Sequence, residues 1–319
     1  MTPHEIVYLV FAIALLAALI LDLGVLSKKS KVVSIKKALW QTLFWVALAM
    51  AFFAFLLFEE GNKTALEYLS AYLMEWSLSI DNIFIFILIF TSFKIKEIYY
   101  GRVLLAGILM AILFRVIFIT VGVELVERFH WILYVFGVFL VYTGFKMFTE
   151  DDEKEFKPHE NKIYKFLNKF LPLSPTDGNG RYIIRVAGKP QYTILFVVVV
   201  ILASIDLVFA LDSIPAVMGI SQDRLVIYTS NIFAVLGLRS LFFLLRGAVN
   251  KFKFLQQGIS IVLVFIGIKM LGEYFINQWM SKNIQVIASL GMIIVCIGGS
   301  IIYSIRHNNK QVQKTHSHH

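Results

Sequence analysis

Residues 192–219 read YTILFVVVVILASIDLVFALDSIPAVMG, a run whose only formal charges are Asp206 and Asp212. About 20 apolar residues suffice for a helix to cross the hydrocarbon of a bilayer. A charged side chain held there costs about 2.5–3.5 kcal/mol on insertion scales. The stretch is long enough to span, and its carboxylates need either a partner or a task. The signature also occurs earlier in the chain, where Ser79-Ile80-Asp81-Asn82-Ile83-Phe84 parallels Ser204-Ile205-Asp206-Leu207-Val208-Phe209. The task expected of two such acids is to hold a cation.

Working outward, the 319 residues are 58% hydrophobic with a mean hydropathy of +0.75, a composition of polytopic membrane proteins. Nine apolar segments are predicted to span, at 5–26, 38–58, 66–92, 102–123, 131–148, 192–219, 225–246, 257–276 and 285–305. Two-residue alternation is missing, so the expected fold is all-α, a polytopic membrane helical bundle rather than a barrel. The net charge of +9 does not point to nucleic acid, because the basic residues fall in short loops between spans. Those loops report topology. Placing 27–37 in the cytoplasm puts 22 Lys and Arg on that side, against Lys63, Arg128, Arg224 and Lys282 on the other. The N-terminus is then outside and the C-terminus cytoplasmic. No removable signal peptide is expected. One cysteine, Cys296, allows neither an internal disulfide nor a zinc cage.

Aligning the two Ser-Ile-Asp strings at an offset of 125 brings Arg115 near register with Arg239, and Gly144-Phe145-Lys146-Met147 with Gly267-Ile268-Lys269-Met270. The repeat covers three helices. An odd number of spans inserts the second copy upside down, the plan of carriers that bind at the midplane where the copies meet. The expected organisation is a single membrane domain with two N-terminal helices in 1–60, repeat 1 in 66–148 and a cytoplasmic linker in 149–191. Repeat 2 follows in 192–276, then a C-terminal helix in 285–305 and a disordered tail in 306–319. Within the linker, Glu150-Asp151-Asp152-Glu153 precedes Ile163, Phe166, Leu167, Phe170 and Leu171 at helical spacing, interleaved with Lys162, Lys165 and Lys169. It reads either as a helix in the membrane interface or as a solvated linker. Asp177-Gly178-Asn179-Gly180 reads as a tight turn, with a short hairpin as one possibility.

The candidate site carboxylates inside predicted spans are Asp22, Glu75, Asp81, Asp206 and Asp212, set against Arg115 and Arg239. This negative surplus would draw a divalent cation, with the arginines neutralising the rest or standing in for the ion when it is absent. The competing reading is structural salt bridges alone. Glu75, Ser79 and Asn82 share a helical face, whereas Asp81 lies about 120° from Glu75. Pro215 frees the carbonyl of Leu211 beside Asp212, a further possible ligand. Oxygen donors without thiolates favour manganese, calcium or magnesium, and no histidine falls at a midplane position. Asn231 either faces the cavity or hydrogen-bonds between helices.

Glu75-Trp76-Ser77-Leu78-Ser79-Ile80-Asp81-Asn82, Phe209-Ala210-Leu211-Asp212-Ser213-Ile214-Pro215-Ala216 and the run from Tyr228 to Ser240 together resemble the TerC family of integral membrane proteins. Length and N-terminal region are similar to its Alx-like branch. The resemblance implies a prokaryotic cell-membrane protein related to the LysE superfamily, linked to Mn2+ efflux and to tellurium resistance. It also implies metal ligation by Glu75, Asp81 and Asn82 in the first motif and by Asp206, Asp212 and Ser213 in the second. Ala203 and Thr193-Ile194 depart from the family pattern of a glutamate and a Thr-Pro there, which changes the ligand set.

The expectation is therefore a divalent metal ion transporter, not an enzyme. No cofactor is held; the metal, Mn2+ foremost, is the cargo, with protons as the exchange ion and the lipid bilayer as surroundings. Asp22 would guard entry, and Arg115, Arg239 and Asn231 would be accessory or gating residues. The alternative is a non-transporting membrane scaffold in metal or tellurium stress that recruits proteins through 149–191. An intramembrane protease has only the paired aspartates in its favour.

Overall fold

The computed structural model describes residues 3–21, 33–149, 162–186, 188–246 and 254–316, and nearly all of them are helical. The helices are α1 (Pro3–Leu21), α2 (Ile35–Glu59), α3 (Asn62–Ser92), α4 (Glu97–Arg128), α5 (Ile132–Thr149) and α6 (Lys162–Phe170). They continue with α7 (Ile194–Ile220), α8 (Arg224–Leu245), α9 (Leu255–Leu271), α10 (Glu273–Trp279) and α11 (Lys282–His316). The all-α membrane bundle expected from hydropathy is what forms. In hydrocarbon, a helix satisfies its backbone hydrogen bonds internally. Exposed apolar side chains such as Leu113, Val121, Val138, Val208, Ile268 and Val295 form its outer surface.

Among the described residues, seven helices are long and apolar enough to span: α2, α3, α4, α5, α7, α8 and α11. The segment expected at 257–276 is broken at Gly272, where α9 and α10 meet at 81°; counted as one bent span, it makes an eighth. Of the ninth, at the N-terminus, the apolar helix Ile6–Ala17 is described. Two local expectations need correction. The last helix runs to His316, so most of the tail expected to be disordered is helical. Asp177-Gly178-Asn179-Gly180 is a turn, but not that of a hairpin: it forms a single 3-10 turn ahead of the antiparallel pair β1 (Ile183–Val186) and β2 (Lys189–Tyr192). Gly178 is needed there twice over. Its φ is 56°, and a Cβ on it would stand 2.6 Å from Thr193 Cγ2.

The centre is a ring of four helices in which each of α3 and α4 packs on each of α7 and α8. Beside it, α5 packs closely on α9. Gly137 meets Gly267 there and Gly144 meets Val264: a Cβ on Gly267 would lie 2.7 Å from the Gly137 carbonyl oxygen, and one on Gly144 2.6 Å from Val264 Cγ2. Small residues let membrane helices approach where no hydrophobic effect drives them together. α8 is buried along almost its whole length, so anything polar on it must be satisfied by neighbouring helices.

Candidate cation site at the centre of the bundle

Arg115 sits in the middle of α4, buried to 1% exposure, and a lone guanidinium there would be prohibitively unstable. Three helices supply its partners. Its Nε and Nη2 donate to Oδ2 and Oδ1 of Asp206 on α7, both at 3.1 Å, a side-on bidentate pair. Its Nη1 donates to Glu75 Oε1 on α3 and, at 3.1 Å, to Asn231 Oδ1 on α8. The Asn231 amide is turned that way because its Nδ2 donates to the Ile227 carbonyl at 2.9 Å. Arg115 thus ties α3, α7 and α8 to α4.

Balance is incomplete in two respects. Among the described residues two carboxylates face one guanidinium, a formal surplus of one negative charge. In addition, Glu75 Oε2, Ser79 Oγ and Ser213 Oγ are buried with no hydrogen-bond partner among the described residues. Ser79 is one turn beyond Glu75 on the same face of α3, and Ser213 is two turns beyond Asp206 on the same face of α7. Buried oxygens without partners are rare in folded chains and call for an explanation. All three are hard donors of the kind that suit a divalent cation. Beside Asp206 lies a void of ≈10 Å³ walled by Phe86, Leu104, Ile108, Leu202 and Leu238, room for about one water-sized guest. Among the described residues, no three His, Cys, Asp or Glu side chains come together to cage a metal.

Of the residues expected at the site, Glu75, Asp206, Arg115 and Asn231 come together. Asn82 and Ser213 are buried on α3 and α7. Asp81 and Asp212 lie on those helices, but their side chains are outside the described residues, as is Asp22 altogether. Arg239 does not join Arg115. Its Nη2 is 3.2 Å from where a Cβ on Gly101 would stand, about 21 Å along α4 from Arg115 by the helical rise. α7 continues through Pro215 to Ile220 without a break. Asn231 hydrogen-bonds between helices, one of the two roles expected of it.

A third buried acid escaped the sequence reading. Glu67, two turns before Glu75 on α3, is 8% exposed and accepts the Ser221 hydroxyl at 2.5 Å, with Lys63 Nζ at 3.8 Å. Its spacing in Lys63-x3-Glu67-x7-Glu75 could have flagged it. Glu67 lines a cavity of ≈260 Å³ shared with Lys63, Asp223, Lys269, Glu273 and Gln285, at the end of the bundle where α3 begins and α7 finishes.

Known proteins bear on this architecture. No solved structure matches the chain. An uncharacterised membrane protein of Myxococcus xanthus is 41% identical over 298 residues, 93% of this chain and 90% of that protein. One from Rickettsia felis is 38% identical, over 92% of this chain and 97% of its own length. The Escherichia coli O6:H1 protein Alx, provisionally described as a membrane-bound redox modulator, is 34% identical over 95% of this chain and 96% of its own. The integral membrane protein TerC family matches residues 60–312, every helix of the central ring included. With that match and relatives aligned almost end to end, this chain belongs to the TerC family of integral membrane proteins.

Proposed function

We propose that this chain is a divalent cation exporter, with Mn2+ as its cargo, and that the Arg115 cluster is its binding site. The observation that carries the reading is the set of buried, unpartnered oxygens, Glu75 Oε2, Ser79 Oγ and Ser213 Oγ, around a guanidinium with one carboxylate more than it can neutralise. Arg115 acts as an internal counter-cation. It neutralises Glu75 and Asp206 while no metal is bound and must withdraw to admit one, because the adjoining space is too small for a hydrated ion.

The packing pattern supports a carrier built from inverted repeats. Exchanging α3, α4 and α5 for α7, α8 and α9 preserves its most extensive contacts, though not every one: α3 on α8 becomes α7 on α4, and α5 on α9 maps onto itself, whereas α7 on α9 has no counterpart of similar extent. With the N-terminus outside and the C-terminus in the cytoplasm of an inner membrane, the cavity at Glu67 opens outward. Glu67 then lies about 12 Å along α3 from Glu75 and marks the exit side. Export against an inside-negative potential costs about 2.3 kcal/mol per charge per 100 mV. Protons taken up by the vacated carboxylates would supply that work.

The test is Mn2+ flux into or out of proteoliposomes holding the wild type and the Glu75→Gln, Asp206→Asn pair. Flux should fall to background in the variant and, in the wild type, follow an imposed pH gradient. Unchanged flux in the paired variant would remove the site. A thiol-based form of the redox role in the description of Alx would rest here on Cys296, the one thiol in the chain. Cys296→Ala separates the two readings: transport should persist, and a thiol-dependent role should be lost.

A further inference from the structure

Helix α6 presents three faces, each with different chemistry. Ile163, Tyr164, Leu167 and Leu171 turn toward the protein: Leu167 is buried, Tyr164 lies 6.0 Å from the ring of Phe93, and α6 packs on α7. Phe93 caps the end of α3 and α7 begins at Ile194, so α6 lies level with the point where two spans leave the apolar layer. About a quarter-turn round the helix, Phe166 and Phe170 stand side by side with ring centroids 4.8 Å apart, and each is 63% exposed. A further quarter-turn brings Lys165 and Lys169, both exposed, with no acidic side chain from Lys162 to Pro172.

From this geometry we infer that α6 is a docking surface for anionic lipid, lying flat at the membrane boundary with Phe166 and Phe170 immersed and Lys165 and Lys169 at the level of the phosphates. This arrangement fits all three faces at once. A helix held by the protein on one side has one neighbouring direction pointing into acyl chains, where aromatic rings are stable, and another lying along the headgroups. A solvated linker would leave two adjacent phenylalanines in water for no return. The lysines select the lipid: each basic residue close to an anionic surface contributes about fivefold to association, through attraction that fades within a Debye length. The inference does not depend on whether the bundle transports metal.

The single cysteine makes a direct test possible. In a Cys296→Ala background, a spin label is placed by Phe170→Cys, and in a second protein by Asn168→Cys on the solvent side. Each full-length protein is reconstituted in phosphatidylcholine vesicles and in vesicles that also contain phosphatidylglycerol. Accessibility to oxygen against a water-soluble nickel chelate reports depth. The expected result is a label at 170 in the oxygen-accessible layer and one at 168 in water. The label at 170 should move deeper with phosphatidylglycerol, and a Lys165→Gln, Lys169→Gln variant should abolish that shift. Water access at both positions would overturn the proposal, and a depth at 170 indifferent to phosphatidylglycerol would overturn the assignment to anionic lipid.

Discussion

Two arginines bind two carboxylates each, and they could hardly differ more in consequence. Arg224, at the start of α8, holds Glu127 through Nε at 2.8 Å and through Nη2, and reaches Glu124 on the same helix, α4, at 3.6 Å. All three side chains are about half exposed. Arg115 makes the same bidentate-plus-one pattern with Asp206 and Glu75, but none of its three partners exceeds 2% exposure. Water solvates the Arg224 group whether or not the pairs form, so its pairing is optional. At Arg115 nothing else can solvate the charges, so each member is a condition for burying the others. Polar chemistry at the rim of this protein is decoration on a stable bundle, whereas at its centre the same chemistry decides whether four helices can meet.

That contrast can be broken first at Arg115. Arg115→Met leaves Glu75 and Asp206 buried without their cation and should destabilise the protein by about 3–5 kcal/mol. Thermal unfolding of the detergent-solubilised chain measures this. Adding Glu75→Gln and Asp206→Asn to Arg115→Met should recover most of the loss, since no uncompensated charge remains. A triple variant as unstable as the single one would mean that packing by the arginine, not its charge, matters. The rim counterpart, Arg224→Gln, should cost less than about 1 kcal/mol, and the difference from wild type should shrink as salt is raised. A loss equal to that of Arg115→Met would erase the distinction between the two regions.

The smallest effect belongs to a second rim pair, between the exposed Lys96 ahead of α4 and the partly buried Asp177 in the turn before β1, 2.6 Å apart. The hydrogen bond from Lys96 holds the Asp177 carboxyl below its ordinary value of 3.8 and, in return, holds the Lys96 ammonium above 10.5. The contribution of Asp177 is therefore complete above pH 3.8 and is lost as pH falls through its lowered value. That of Lys96 is complete below pH 10.5 and is lost as pH rises through its raised one. Hydrogen exchange of the 3-10 turn and the β1–β2 hairpin, corrected for intrinsic rate, should speed up in acid in the wild type. In Lys96→Gln it should be uniformly faster, with a smaller acid step left by the Asn179 backbone N–H that Asp177 still accepts.

Hydropathy and period made the spans legible, because a helix in lipid is specified by its own residues: about 20 apolar ones and an internally satisfied backbone. The charges inside those spans were legible as candidates for the same reason, and Glu75, Asp206, Arg115 and Asn231 do assemble. What local reading missed was local geometry under tertiary control. The break at Gly272 turns an apparently continuous apolar segment by 81°, and Glu67, at the start of the segment 66–92, has its buried hydrogen-bond partner in Ser221, far along the chain. Pairing was equally out of reach. The repeat expected from the sequence treats Arg115 and Arg239 as equivalents, yet the partners of Arg115 come from both halves of the chain, and Arg239, on α8, reaches α4 near Gly101 instead.

The amino-acid sequence by itself determined that this protein is a helical membrane bundle with acids and arginines in its interior, since each residue's cost in lipid is a property of that residue. Which acid meets which arginine, and which oxygens are left without a partner, only the tertiary structure decided. Those outcomes depend on how far each helix is rotated about its axis, and that rotation is set by packing against three neighbours at once.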